Sequence, residues 1–311
     1  MLLYYIMNKN TPIVTVTCER DLALLDLQAQ SIFNYLDEST PIYIIVNELD
    51  PTYWNEYFNQ HIKHYYSKHN LTILYRKDFE GEWQYWLPSA VNPWAVGWET
   101  QQILKLAIAK KLSSIGYLIL DSQNFLIKSW SPNYEMPAGK IPSRNGIYSM
   151  PESIWDDYAV SLDTDASTAN KEYISACTPI FMHTELVQRL IDFKGGLANF
   201  STWFKNASRI KSEFVLYFVW AIKNNVFTES HETVSNWGAP YLRDSKTFKE
   251  DFKAFLNEIG TVESHAWISA NHRSWGDMTD QQYVRMKNKL KKFNLEPHFE
   301  KYRAEYVNII F

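Results

Sequence analysis

The stretch that most constrains the fold of this 311-residue chain is Gly97 to Ile127, GWETQQILKLAIAKKLSSIGYLILDSQNFLI. Ile103, Leu104, Ala107, Ile108 and Leu112 recur at helical spacing. Ser113, Ser114 and Gly116 break that pattern. The run Tyr117-Leu118-Ile119-Leu120 then has no polar alternation, as expected of a parallel strand covered on both faces. It stops at Asp121-Ser122-Gln123-Asn124. Open α/β sheets bind ligands outside the carboxyl ends of their strands, so a carboxylate there invites a functional role. The competing use is an ordinary strand-to-turn sequence, in which such side chains bond to the local backbone.

The segments before it extend the same pattern. Ile13 to Thr17 is a β-branched strand, followed by Cys18-Glu19-Arg20-Asp21 and a helix carrying Leu22, Leu25, Ala29, Ile32 and Leu36, with Asp21 as N-cap. Ile42 to Val46 is a second strand. Asp50-Pro51 opens a helix running to about Lys68, and Leu71 to Tyr75 is a third strand. Strand–helix alternation of this kind predicts a mostly parallel sheet flanked by helices, α/β in class. It also gathers Arg20, Asp21, Asp78 and Asp121 toward one sheet edge.

Composition excludes several classes. A formal net charge of -4 without a long basic run gives no reason to expect nucleic acid. Two cysteines, Cys18 and Cys177, make neither a disulfide framework nor a zinc cluster. Met1 to Met7 is apolar but too short to span a bilayer, and it lacks the basic start of a signal peptide, so no transmembrane segment is expected. The expected location is cytoplasmic, with peripheral association at a membrane surface through a partner left open. With 12 Trp, 20 Tyr and 17 Phe, aromatic residues reach 16%; such rings stack on sugars in carbohydrate-handling proteins, although any single ring is more often core.

The aromatic Phe79–Val96 segment, with Trp83 and Trp86, is too long for a simple connection and reads as a packed lid or acceptor platform, or as a structural wrap. Ser212 to Asn224 is a second strong helix, capped by Ser212, with Glu213, Tyr217 and Trp220 on one face. That face suits a sugar, while Glu213 in a first turn also complements the helix dipole. Phe248 to Phe299 carries two helices around a His265–Trp275 segment. The expected organisation is a main domain over 1–245 and a helical extension over 246–311 packed on it. No glycine-rich phosphate loop and no serine nucleophile elbow are present. His61, His64 and His69 read as a solvated helix face.

Taken in order, Val16-Thr17 with Arg20-Asp21, Gly97-Trp98 with Gln101-Gln102 and Lys105-Leu106, Leu120-Asp121-Ser122, and Ser212-Glu213 with Leu216-Tyr217 resemble the GT-A-type nucleotide-sugar glycosyltransferases, and most closely the bacterial DUF6492 group. The resemblance spans about two-thirds of the chain. It implies transfer of a sugar from a nucleotide-sugar donor to a glycan or lipid-linked acceptor, as in surface polysaccharide synthesis. Thr17, Arg20 and Asp21 would border the nucleotide. Trp98, Gln102 and Lys105 would face the donor, with Lys105 on a diphosphate oxygen. Ser122, Gln123 and Asn124 would line the donor, Glu213 would act as general base beside catalytic Asp121, and Trp83, Trp86 and Tyr217 would meet the acceptor. Asp121 and Gln123 match the two acids of the family's DxD motif, which binds a divalent cation, Mn or Mg. Here the second acid is an amide. Three outcomes stay open: Asn124 and a distant His265 or His272 complete a weaker metal site; Lys105 and Arg20 hold the diphosphate without metal; or the chain is a sugar-nucleotide or glycan-binding module that does not turn its ligand over.

Overall fold

The computed structural model describes residues 11–79, 81, 93–132, 140–144, 152–164, 178–208, 211–234, 241–242, 248–260, 266–270 and 278–295. Its centre is a five-stranded sheet. Strands β1 (Ile13–Thr17), β2 (Ile42–Val46), β3 (Leu71–Tyr75), β4 (Gly116–Asp121) and β7 (Ile180–His183) lie in the order β3-β2-β1-β4-β7. The first four are mutually parallel, and β7 runs antiparallel to β4. The chain therefore steps outward from β1 through β2 to β3, then returns to the other side of β1 as β4. That reversal is the topological switch point, the crevice in which open α/β sheets hold ligands.

Burial on both faces explains the apolar strands. Tyr117 and Ile119 pack with Val14, Val16 and Ile45 into one core, under helices α3 (Pro93–Ala107), α4 (Glu152–Ser161), α5 (Thr184–Phe193), α6 (Leu197–Ala207) and α7 (Glu213–Lys223). Their neighbours Leu118 and Leu120 point the opposite way. They pack with Ile42 and Ile44 under α1 (Leu22–Tyr35) and the segment begun by α2 (Thr52–Tyr57). The period-2 geometry of a strand sends alternate residues to the two cores.

Local chemistry sets several helix starts. Ser212 caps α7, its hydroxyl accepting the Val215 N–H at 3.3 Å. Asp50 accepts the Thr52 N–H at 3.0 Å before α2, which begins one residue later than expected. Beyond Tyr57 that segment continues as a π turn and a 3-10 turn to Tyr66 rather than as one α-helix to Lys68. Asp21 stands at the N-cap of α1 without a capping bond, its carboxylate turned instead to Cys18 and Arg20. Helices α4 and α6 are not anticipated by the periodicity. Gly195 and Gly196, at φ of 82° and 92°, make the sharp left-handed link between α5 and α6.

The C-terminal residues are woven into the same body. Strand β10 (Trp267–Ala270) pairs antiparallel with β5 (Asn124–Leu126), the strand that follows Asp121. Helices α8 (Phe248–Glu258) and α9 (Asp280–Lys291) bury Phe252, Phe255, Met286 and Leu290 against Leu24 and Leu27 of α1 and Phe125 of β5. The expected extension is thus part strand, not purely helical. Among the described residues no helix is long and apolar enough to cross a membrane.

Candidate functional site

Asp121 ends β4 beside the end of β1, in register with Val16. Its backbone is pinned on both sides. The Asn124 amide oxygen accepts the Asp121 N–H at 2.7 Å, and Gln28 of α1 donates to the Asp121 carbonyl at 2.8 Å and to the Asn124 carbonyl at 3.1 Å. Gln28 is itself held by the Thr15 hydroxyl at 2.9 Å. The other end of the Asn124 amide donates to Ser269 of β10 at 2.8 Å and to the Thr178 carbonyl. Four segments far apart in sequence thereby fix one turn.

The carboxylate, 25% exposed, is held from within. Thr178 donates its hydroxyl to Oδ2 at 2.7 Å. Lys105 Nζ lies 2.9 Å from Oδ1 and 2.9 Å from Glu213 Oε1. Lys105 and Glu213 are 3% and 1% exposed, so this is a buried acid–base–acid triad. Gln102 faces Glu213; assigned with its nitrogen toward that carboxylate, the orientation that gives both amide ends partners, it donates to Glu213 Oε1 at 2.8 Å and also to Oε2. The face of Phe214 lies 5.0 Å from Lys105 Nζ. Burial alone would lower the Lys105 pKa, but Asp121 and Glu213 more than offset it and hold the ammonium firmly charged. Burial raises the Glu213 pKa against the pull of Lys105, as expected when two carboxylates share one cation and this one is the drier.

Two further hydroxyls mark the crevice. Thr17, at the end of β1, and Ser122, next to Asp121, are 2% and 3% exposed, and their oxygens have no hydrogen-bond partner among the described residues. Buried hydroxyls are normally paired, so their place at the switch point is informative. On the β2 side, Glu48 accepts the Glu19 N–H at 2.8 Å, and burial raises its pKa. Asn47 donates to the Gly97 carbonyl at 2.9 Å and accepts from Thr100 at 3.0 Å, tying the start of α3 to the sheet edge. Burial pushes the Cys18 thiol up, Asp21 adding to the effect, so it is no ready nucleophile. Arg20, with its side chain 30% exposed, lies 3.5 Å from Asp21.

Several expected roles are relocated by this geometry. Gln102 and Lys105 turn inward to Glu213, while Trp98, one turn earlier on the same face, is 39% exposed. Lys105 is therefore not presented to a diphosphate. Glu213 is shut off from solvent with its oxygens occupied, so it does not present a base to an acceptor hydroxyl. Tyr217 is fully buried, its hydroxyl accepting the His183 N–H at 2.9 Å and bonding His231 Nε2 at 2.7 Å, and it offers no face to an acceptor. Asn124 is fully buried with its amide committed, a pin rather than a donor or cation ligand. Gln123 is half-buried at the turn and Asp21 stands at the rim. Trp83, Trp86, His265 and His272 lie outside the described residues.

Thr178 and Gln28 are the two supports that the sequence reading misses. Thr178 gives no local signal. Gln28 does, since it and Ser31 are polar residues on the apolar face of α1 and both are fully buried.

Among the described residues, the donor set at this turn does not suit a divalent cation. Hard cations want several oxygen ligands, usually including more than one carboxylate. Among the described residues no three His, Cys, Asp or Glu side chains converge. The one carboxylate at the turn already faces an ammonium and a hydroxyl, and the residue two positions on is an amide.

The mostly parallel sheet with its antiparallel β7, flanked by helices, matches the GT-A fold. A family model described as "Family of unknown function (DUF6492)" matches residues 17–294, and the chain belongs to that family. Among solved structures, the galactosyltransferase LgtC, in complex with donor and acceptor sugar analogues, superposes with a TM-score of 0.50 at 8% identity, over 91% of this chain and 95% of that one. The apo bifunctional glycosyltransferase WbbM is similar at a TM-score of 0.48 and 12% identity, over 93% of this chain, which spans only 52% of WbbM. Mouse xyloside xylosyltransferase 1 is similar at 0.46 and 7%, over 85% of this chain and 99% of that one. No curated protein matches the sequence.

Proposed function

We propose that this chain is a glycosyltransferase, performing hexosyl or related glycosyl transfer from a nucleotide-sugar donor to a glycan or lipid-linked acceptor. The observation that carries this reading is Asp121: a partly exposed carboxylate, rigidly held at the switch point of a GT-A-like sheet, beside the hydroxyls of Thr17 and Ser122, which have no partner among the described residues. In this reading the donor's hydroxyls and amides pair with the Thr17 and Ser122 hydroxyls. Asp121 accepts a hydrogen bond from the sugar or ribose. Arg20, at the rim one strand away, meets the diphosphate. Action at a cytoplasmic membrane surface, on an acceptor of surface polysaccharide synthesis, belongs to the same proposal.

The second reading, a sugar-nucleotide-binding module without turnover, is favoured by one observation: Gln123 stands where the DxD motif has its second acid. Thermal melting of the full chain against nucleoside diphosphates and sugar nucleotides tests the shared premise. A ligand that binds only the folded state adds about 2.7 kcal/mol at a hundredfold excess over its Kd, so a cognate donor should raise Tm clearly. No shift with any nucleotide would sink both readings. A shift without donor hydrolysis or transfer selects the second.

A further inference from the structure

The triad under Asp121 points to a role for Lys105 that goes beyond the proposed reaction, because it concerns metal binding alone. We propose that the Lys105 ammonium is a built-in cation, occupying the place between Asp121 and Glu213 that a divalent ion would otherwise take and keeping the site free of metal.

Geometry carries the argument. Asp121 Oδ1 and Glu213 Oε1 both lie 2.9 Å from a single point, Lys105 Nζ. A shift of each oxygen by less than about 1 Å would bring the pair to the roughly 2.0–2.6 Å at which Mg²⁺ or Ca²⁺ takes carboxylate oxygens. The surroundings suit a cation of either kind. Thr178 and Gln102 orient the two carboxylates, and the Phe214 ring face lies 5.0 Å from the ammonium. The pocket thus offers two oriented carboxylates, fewer ligands than a hard cation usually takes, and its occupant is a covalently attached ammonium. A divalent ion on the inner lone pairs of Asp121 would meet the ammonium at close range, in a place where burial leaves that repulsion poorly screened. The two cations are therefore mutually exclusive at this position, and Gln123 follows naturally: a second acid has no metal to serve.

The test uses Mn²⁺ alone as probe, its free-ion electron paramagnetic resonance signal reporting uptake by the full-length chain. The readout is the part of the uptake that Asp121→Asn abolishes. Wild type should show no such uptake up to about 1 mM, the weak end of protein sites for divalent ions. Lys105→Ala, which leaves two carboxylates around a vacated position, should take up Mn²⁺ at least about tenfold more tightly than wild type. Its Tm should rise with the ion, and adding Glu213→Gln should remove both effects. Asp121-dependent Mn²⁺ binding by the wild-type chain overturns the proposal, as does a folded Lys105→Ala that binds no better than wild type. If Lys105→Ala does not fold in chelator, Lys105→Met, which keeps the aliphatic stem, carries the same comparison. The wild-type arm needs only the Asp121→Asn control and decides independently of any Lys105 variant.

Discussion

Lys105 Nζ sits 2.9 Å from Glu213 Oε1, and both groups are almost wholly shut off from water. Removing the sole partner of a buried charge costs about 3–5 kcal/mol, but Asp121, 2.9 Å from Lys105, keeps the ammonium paired when Glu213 is lost. Glu213→Leu should therefore lower the unfolding free energy by less than that, about 1.5–3 kcal/mol for the lost charge-assisted bond, read as a shift of the urea midpoint at unchanged m-value. Glu213→Gln, which can still accept from Lys105, should cost less. Equal stability of Glu213→Leu and wild type would mean that Lys105 is satisfied without Glu213.

The pin on the Asp121 turn gives a second expectation. Asn124→Leu leaves the Asp121 N–H and the Ser269 hydroxyl without their partner in a fully buried place. Each orphaned group costs about 1–3 kcal/mol, so the variant should be destabilised by several kcal/mol, measurable by urea denaturation. Any ligand-induced Tm shift should fall in parallel, because Asp121 would lose its fixed orientation.

How far these sites were legible differs residue by residue. The strand ending at Asp121 shows in the sequence because burial on both faces forbids polar alternation, and Ser212 shows because capping is local chemistry. The partners of Asp121 do not show. Gln28 and Thr178 lie 93 and 57 residues away, and only the sheet order brings them together. Helical spacing correctly puts Trp98, Gln102 and Lys105 on one face. It cannot say that the lower part of that face turns toward α7, so Lys105 looks like a free cation until Glu213 is seen beside it. Helix α4 escapes notice because its ten residues mix Asp156 and Asp157 into the buried set Ile154, Trp155 and Tyr158.

Acid sensitivity follows from His231. It is 4% exposed, its Nδ1 facing Ser230 at 2.7 Å and its Nε2 facing Tyr217 at 2.7 Å. Burial lowers its pKa to about 3, with His183 adding to the effect. The unfolded chain holds this histidine near the ordinary value of about 6.5, so between the two values the unfolded state binds more protons. Stability is thus complete above about pH 6.5 and is lost as pH falls toward 3, by an upper bound on the order of 5 kcal/mol at about 1.36 per unit. In His231→Gln the slope of unfolding free energy against pH over that window should flatten. An unchanged slope would show that other groups carry the acid transition.

Gly116, which opens β4, is a packing constraint rather than a conformational one. A Cβ there would lie 2.8 Å from Ile141 Cδ1 and 2.9 Å from the Met182 carbonyl oxygen. Ile141 can move, but the carbonyl belongs to the neighbouring strand β7 and is held by the ladder. Gly116→Ala should therefore cost about 1–3 kcal/mol, the range for overpacking, seen as a lower urea midpoint. A stabilised variant would show that β7 yields readily.

Asp121 itself separates function from folding. Its removal leaves Lys105 and Glu213 as a matched pair of one cation and one anion, unlike the removal of Lys105, which leaves two acids without a cation. The carboxylate is also the most exposed member of the triad. Asp121→Ala should thus fold, with a stability loss smaller than that of Glu213→Leu, arising chiefly from the freed Thr178 hydroxyl at about 1–2 kcal/mol. Its glycosyl transfer should nonetheless fall below detection, because the group proposed to face the donor is gone. Transfer measured with the cognate sugar nucleotide from the melting panel, alongside urea unfolding of the same preparation, reads both effects. Undiminished transfer in a folded Asp121→Ala protein would remove Asp121 from the reaction and, with it, the main support for the glycosyltransferase reading.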